Sequence, residues 1–105
     1  MKPGDVWLAL LDPTVGSDIQ KPRPCVVVSP ADMNAHLRSV IVAPMTTGSR
    51  PAGFRVALTF QGKQGLIVLD RIRTLDRMRL GKRLGALRPP TLALTLQTLQ
   101  AMFAP

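Results

Sequence analysis

The sequence predicts a small, mainly β domain, a strongly bent sheet or barrel with short helices, closed by one C-terminal helix. Three observations carry this. Apolar runs rich in Val and Ile are short and are separated by Pro-, Gly- and Ser-containing turns. Phe54 to Phe60 alternates apolar and polar residues, the period of a half-buried strand. Only the segment after Pro89-Pro90 carries an extended helical pattern. The 105 residues are read as one domain spanning 1–105.

The elements follow in order. Val6 to Leu11 is a short apolar strand, and Asp12 to Lys21 a polar loop with Pro13, Gly16 and Ser17. Cys25 to Ser29 is a second strand, too continuously apolar to be half exposed. Ser29-Pro30 then reads as an N-cap followed by proline at the first helical position, opening a helix over Ala31 to His36. Ser39 to Ala43 is a third strand, ending at Pro44, and Thr46 to Gly53 is a loop. Phe54, Val56, Leu58 and Phe60 form the buried face of the next strand. Gln61 to Gly65 makes a hairpin turn. Leu66 to Leu69 is a buried strand that Ile72 to Leu75 extends. A single turn over Asp76 to Leu80 and a strand over Arg83 to Leu87 follow. The last helix runs from Pro89 to about Met102, with Leu92, Leu96, Leu99 and Phe103 on one apolar face.

Composition limits the function. Ten Arg and four Lys face six acids, all Asp, for a formal net charge of +8. Such a field attracts polyanions: RNA, DNA or an acidic protein. One cysteine excludes an internal disulfide and fits a reducing compartment. No apolar run reaches membrane-spanning length, and Met1-Lys2-Pro3-Gly4-Asp5 is not a signal-peptide pattern, so the expected location is cytoplasmic and no membrane partner is expected. No Cys/His cluster has metal-ligand spacing, no glycine-rich phosphate loop is present, and no Ser/His/Asp order suggests a hydrolase triad. Neither metal nor cofactor is expected.

Lys21-Pro22-Arg23-Pro24 is the most informative stretch. Each proline fixes its own φ and restricts the residue before it, so Arg23 is held extended at the mouth of a strand. A preset guanidinium suits phosphate, because its planar fork takes two oxygens at once. Cys25 lies in an apolar strand and reads as inert core. His36, on a short helix far along the chain from Arg23, is a poor catalytic candidate. With one Trp, no Tyr and Phe54 assigned to a buried face, base stacking is not expected to dominate any nucleic-acid recognition.

Five segments in order, GDVW (4–7), DPTVGSD (12–18), KPRPCVVVSP (21–30), VIVAPMTT (40–47) and LDRIRTLD (69–76), resemble the MazF/PemK family of toxin endoribonucleases from prokaryotic toxin–antitoxin modules. The resemblance runs from Gly4 to about Phe103. It implies an SH3-like β-barrel with short helices, usually a symmetric homodimer. It implies metal-independent cleavage of single-stranded RNA to 2′,3′-cyclic phosphate and 5′-hydroxyl ends, and an acidic antitoxin as partner. Arg23 matches the arginine of the family's Arg-Pro motif, and Thr46 its catalytic threonine; Thr47 is adjacent and able to substitute. Asp70 matches a catalytic aspartate of some members. Those members carry an arginine where Val68 stands and a first-loop histidine missing here, so Asp70 is equally placed to pair with Arg71 or Arg73. Ser17 and Asp18 belong to a loop that flanks the RNA groove in the family. Lys21, Arg50, Arg55, Lys63, Arg71 and Arg73 are the expected phosphate contacts. Two alternatives differ in kind: a non-enzymatic gyrase poison of the related CcdB type, whose Trp-Gly-Ile ending is replaced here by residues 101–105, and a basic SH3-like module that binds nucleic acid without cutting it.

Overall fold

The computed structural model describes residues 1–11 and 21–105. The strands are β1 (Asp5–Ala9), β2 (Arg23–Val27), β3 (Ser39–Thr46), β4 (Arg55–Phe60), β5 (Lys63–Val68), β6 (Arg73–Asp76) and β7 (Leu80–Ala86). Helix α1 (Ala31–His36) follows β2, and α2 (Pro89–Phe103) ends the chain. The strands form one antiparallel, curled half-barrel in the order β4-β5-β3-β2-β1-β7, with β6 paired to β3.

β3 is the branching strand. Its first half pairs with β6, from Ser39↔Asp76 to Val42↔Arg73. Its end pairs with β5, through Met45↔Ile67 and Thr46↔Leu66. The sequence suggested that β3 stops at Ala43, yet it passes through Pro44 to Thr46. Proline's fixed φ suits extended chain and only its missing N–H is a problem. Ala43 and Pro44 fall between the β6 and β5 pairings, so no partner on that side asks for one.

Both faces of β2 and β3 are covered, which explains their unbroken apolar character. Val26, Ala43 and Met45 join Val6, Val56, Ile67, Leu69 and Leu87 on one face. Cys25, Val27, Val40 and Val42 join Ala9, Leu11 and Leu75 on the other. Cys25 lies opposite Trp7 on β1 and Pro44 on β3, and burial pushes its thiol up to about 12.

Helix α1 spans the residues expected, with a different start. Pro30 is the N-cap and caps with no side-chain bond. Ser29 instead works inside the protein: its hydroxyl donates to Asn34 Oδ1 and accepts the Ile41 N–H at 3.0 Å. Asn34 Nδ2 donates to the carbonyls of Ser29 and Met1, fastening the N-terminus. Burial of Ser29 and Asn34 made this network the better use of the hydroxyl.

Three other expectations are corrected. Ile72–Leu75 does not extend β5: a 3-10 turn over Leu69–Arg71 breaks the chain, and β6 starts beside a different part of β3. The hairpin turn is only Gln61-Gly62, with φ of 51° and 80°, so Lys63 already pairs with Phe60. Phe54 lies before β4 and is exposed, with the Arg55 guanidinium 5.4 Å from its ring centroid. The single turn after Asp76 is a 3-10 turn, Arg77–Arg79, capped by the Asp76 carboxylate through Met78 N–H at 2.8 Å. α2 packs on the sheet through Leu92 and Leu99, with Thr95 buried and bonded to the Thr91 carbonyl. Phe103, expected on the apolar face of this helix, is 71% exposed. Among the described residues no helix is long and apolar enough to cross a membrane.

Candidate RNA-cleaving site

Arg23 opens β2 and Thr46 closes β3. The two strands are antiparallel with Cys25 opposite Pro44. Extending that register by two residues sets Arg23 opposite Thr46. Chain direction thus brings together two side chains that the sequence separates widely. Arg23 stands exposed as the first residue of β2, the strand mouth expected from its prolines, and Pro24 is held opposite Leu8 of β1.

Two hollows meet at this pair. The first, of about 470 Å³, is lined by Arg23, Thr46, Ser49, Arg71 and Arg73 among others. Three arginines thus line the hollow together with two hydroxyl-bearing residues, a set of donors suited to phosphate oxygens. The 3-10 turn at Leu69–Arg71 makes this possible: it ends β5 and brings Arg71 and Arg73 to the hollow's wall. The second hollow, of about 460 Å³, lies on the other side, between the β4–β5 hairpin and β7. It shares Arg23, Met45 and Thr46 with the first and adds Thr47 and Lys63.

Thr46 Oγ1 accepts the Gly48 N–H at 3.1 Å. That bond fixes the oxygen and leaves the hydroxyl proton to donate elsewhere. Gly65 stands beside it on β5. A Cβ there would lie 2.9 Å from the Thr46 carbonyl oxygen, so only glycine lets β5 run this close.

Asp70 lines neither hollow. Its partner is not Arg71 or Arg73 but Arg55, in a bidentate pair: Nε to Oδ1 and Nη2 to Oδ2, each 3.1 Å. The sheet makes the match, because β4 and β5 set Arg55 opposite Val68, two residues before Asp70. Hydrogen bonding to Arg55 holds the Asp70 carboxyl below its ordinary value and raises the Arg55 guanidinium. Arg55 also donates through Nη1 to the Arg50 carbonyl at 2.8 Å, pinning the loop after β3.

Lys21 and Arg50 are exposed and line neither hollow. Ser17 and Asp18 lie outside the described residues. His36 sits on α1, with Nδ1 2.7 Å from the Asp32 carbonyl oxygen. Among the described residues no group of three His, Cys, Asp or Glu gathers as a metal site. Sequence reasoning missed Ser49 and the hairpin glutamines Gln61 and Gln64, which line the hollows. Their signal was spacing within a hairpin, readable only once the turn type is known.

Residues 2–103 match the family described as PemK-like, MazF-like toxin of type II toxin–antitoxin systems. The chain is 42% identical over 90 residues to endoribonuclease PemK of Escherichia coli, covering 80% of this chain and 68% of that protein. Its fold is similar to that of the Mycobacterium tuberculosis toxin MazF-mt6, with a TM-score of 0.79 at 22% identity over 94% of this chain and 95% of that one. It is also similar to a mycobacterial endoribonuclease solved in complex with its cognate antitoxin, with a TM-score of 0.77 at 26% identity, covering all of this chain and 99% of that one.

Proposed function

Since the chain belongs to the PemK-like, MazF-like family of toxins of type II toxin–antitoxin systems, we propose that this toxin endoribonuclease cuts single-stranded RNA by metal-independent internal transfer. The RNA 2′-hydroxyl oxygen gives up its proton to a solvent water and bonds to its own phosphorus, the bond to the 5′-oxygen breaks, and that oxygen takes up a proton from water. The products are a 2′,3′-cyclic phosphate and a 5′-hydroxyl end. The carrying observation is the meeting of Arg23 and Thr46 at the boundary of two hollows, with Arg71 and Arg73 beside them.

Arg23 neutralises the charge that builds on the non-bridging oxygens and on the leaving oxygen; it is always charged, so it neither takes a proton as an ordinary base nor gives one up. Thr46, its oxygen fixed by Gly48 N–H, donates its hydroxyl proton to a phosphate oxygen. Arg71 and Arg73 hold neighbouring phosphates. Asp70 positions Arg55 and the Arg50 loop through its bidentate pair and takes no proton from RNA. An acidic antitoxin segment covers this basic face, and residues 1–105 act as a single toxin domain within a cytoplasmic homodimer. The test is incubation of the purified protein with single-stranded RNA in millimolar EDTA, followed by end mapping. Cyclic phosphate and 5′-hydroxyl ends are expected. Products with 5′-phosphate and 3′-hydroxyl ends overturn the mechanism in favour of an activated water.

A further inference from the structure

We propose that the second hollow, between the β4–β5 hairpin and β7, is a base-reading subsite, and that the Gln64 amide sets which base is preferred beside the cut. This inference rests on the endoribonuclease reading above. Arg23 and Thr46 line both hollows, so a phosphate held by them lies on the boundary. An RNA strand crossing that boundary presents one flanking nucleotide to each side. The two sides differ in chemistry. The first offers Arg71, Arg73 and Ser49, suited to a charged backbone. The second offers apolar walls from Leu8, Leu58, Phe60 and Leu84 and the amides of Gln61 and Gln64. Apolar surface with a few amide donors and acceptors matches a nucleobase, which has flat apolar faces and a hydrogen-bonding edge. The hollow's volume of about 460 Å³ falls in the range of small-ligand sites.

The two glutamines divide the work. Gln61 Nε2 donates to the Leu84 carbonyl at 3.2 Å and ties the hairpin tip to β7. Gly85, beside Leu84, has a φ of 153°, a backbone conformation that residues with side chains rarely adopt. The Gln64 side chain makes no hydrogen bond within the described residues, so its carbonyl oxygen and amide are both available. Gly65, the next residue, is the one that lets β5 run against Thr46. Gln64 is therefore held one residue from the backbone contact that abuts the phosphate-binding threonine.

The experiment is digestion of a randomised single-stranded RNA pool in EDTA, with all cut sites ranked by sequencing. Because sites compete within one pool, the ranking does not depend on how much of each variant is folded. Gln64→Ala is expected to flatten the preference at one position next to the cut by roughly tenfold, the usual weight of one amide–base contact. Gln64→Glu, which accepts but does not donate, is expected to change which base is favoured there. Arg71→Ala, on the backbone side, is expected to slow all sites together. Gln64 variants that keep the wild-type ranking overturn the proposal; if those variants also resist an inhibiting antitoxin segment less or more than wild type does, the hollow serves that protein partner instead. A wild-type protein that cuts no RNA overturns the endoribonuclease reading and the subsite with it.

Discussion

Arg23 has almost no backbone freedom, and Thr46 is placed opposite it by strand register alone. Replacing Arg23 by Ala is expected to lower the cleavage rate on the order of 100-fold or more, the usual effect of losing one transition-state donor. The thermal midpoint should hardly move, because the side chain is exposed. Lys at this position should rescue poorly, since an ammonium has no fork. Near-normal cleavage by Arg23→Ala would remove it from the centre of the mechanism. Asp70 calls for a different measurement. Its pairing with Arg55 holds its carboxyl below the ordinary value of 3.8, so the pair contributes stability above that value and loses it as pH falls through the lowered one. The gap in thermal midpoint between wild type and Asp70→Asn should thus be steady from neutral pH down to about 4 and shrink in stronger acid. A gap indifferent to acid would show that the pair is not its source. That Arg23 and Thr46 belong to one site was legible in the sequence, because prolines and motif order single them out, and the structure brings the two to the same hollows. The Arg55–Asp70 pair was not, because its members meet only through the β4–β5 register.

The β4–β5 hairpin is the element on which the second hollow depends. Gln61 and Gly62 both have positive φ, the geometry of a tight two-residue turn whose twist matches its strands. Gly62→Ala should destabilise the protein by about 1–2 kcal/mol through left-handed strain, while Gln61→Asn, which tolerates that region better, should not. Urea midpoints measure both. Equal losses for the two would mean that the turn is not under backbone control. The strands themselves could be read from apolar periodicity, but their ends could not. A glutamine does not announce a positive φ, so the turn looked longer than it is. Pro44 looked like a stop, because nothing in the chain reveals a gap between two partner strands. Phe103 belongs to the apolar face by spacing yet is exposed, because helical periodicity says which face is apolar and not how much of it is covered.

At the scale of the molecule, charge and topology set how partners arrive and what holds the fold together. A net charge of +8 should speed the approach of an acidic antitoxin segment. Association should slow clearly as salt rises, while the dissociation rate changes little. The same segment should compete with single-stranded RNA for labelled protein; simultaneous binding without mutual weakening would place inhibition at a distance from the RNA face. The bent, mainly antiparallel sheet was legible from strand lengths and turns. Its order was not, because the branching of β3 to β6 and β5 is a long-range choice made by packing. That topology gives Cys25 an unplanned use. Cys25 is fully buried in the cluster of Ala9, Leu11, Val27, Val40, Val42 and Leu75, so its thiol reaches solvent only when the packing on that face opens. While it is buried, desolvation holds the thiol near 12, so it carries almost no thiolate at neutral pH. The rate at which an alkylating reagent captures Cys25 therefore counts opening events of this half of the core. The molecule carries its own clock, one that a bound antitoxin should slow and that needs no engineered cysteine to read.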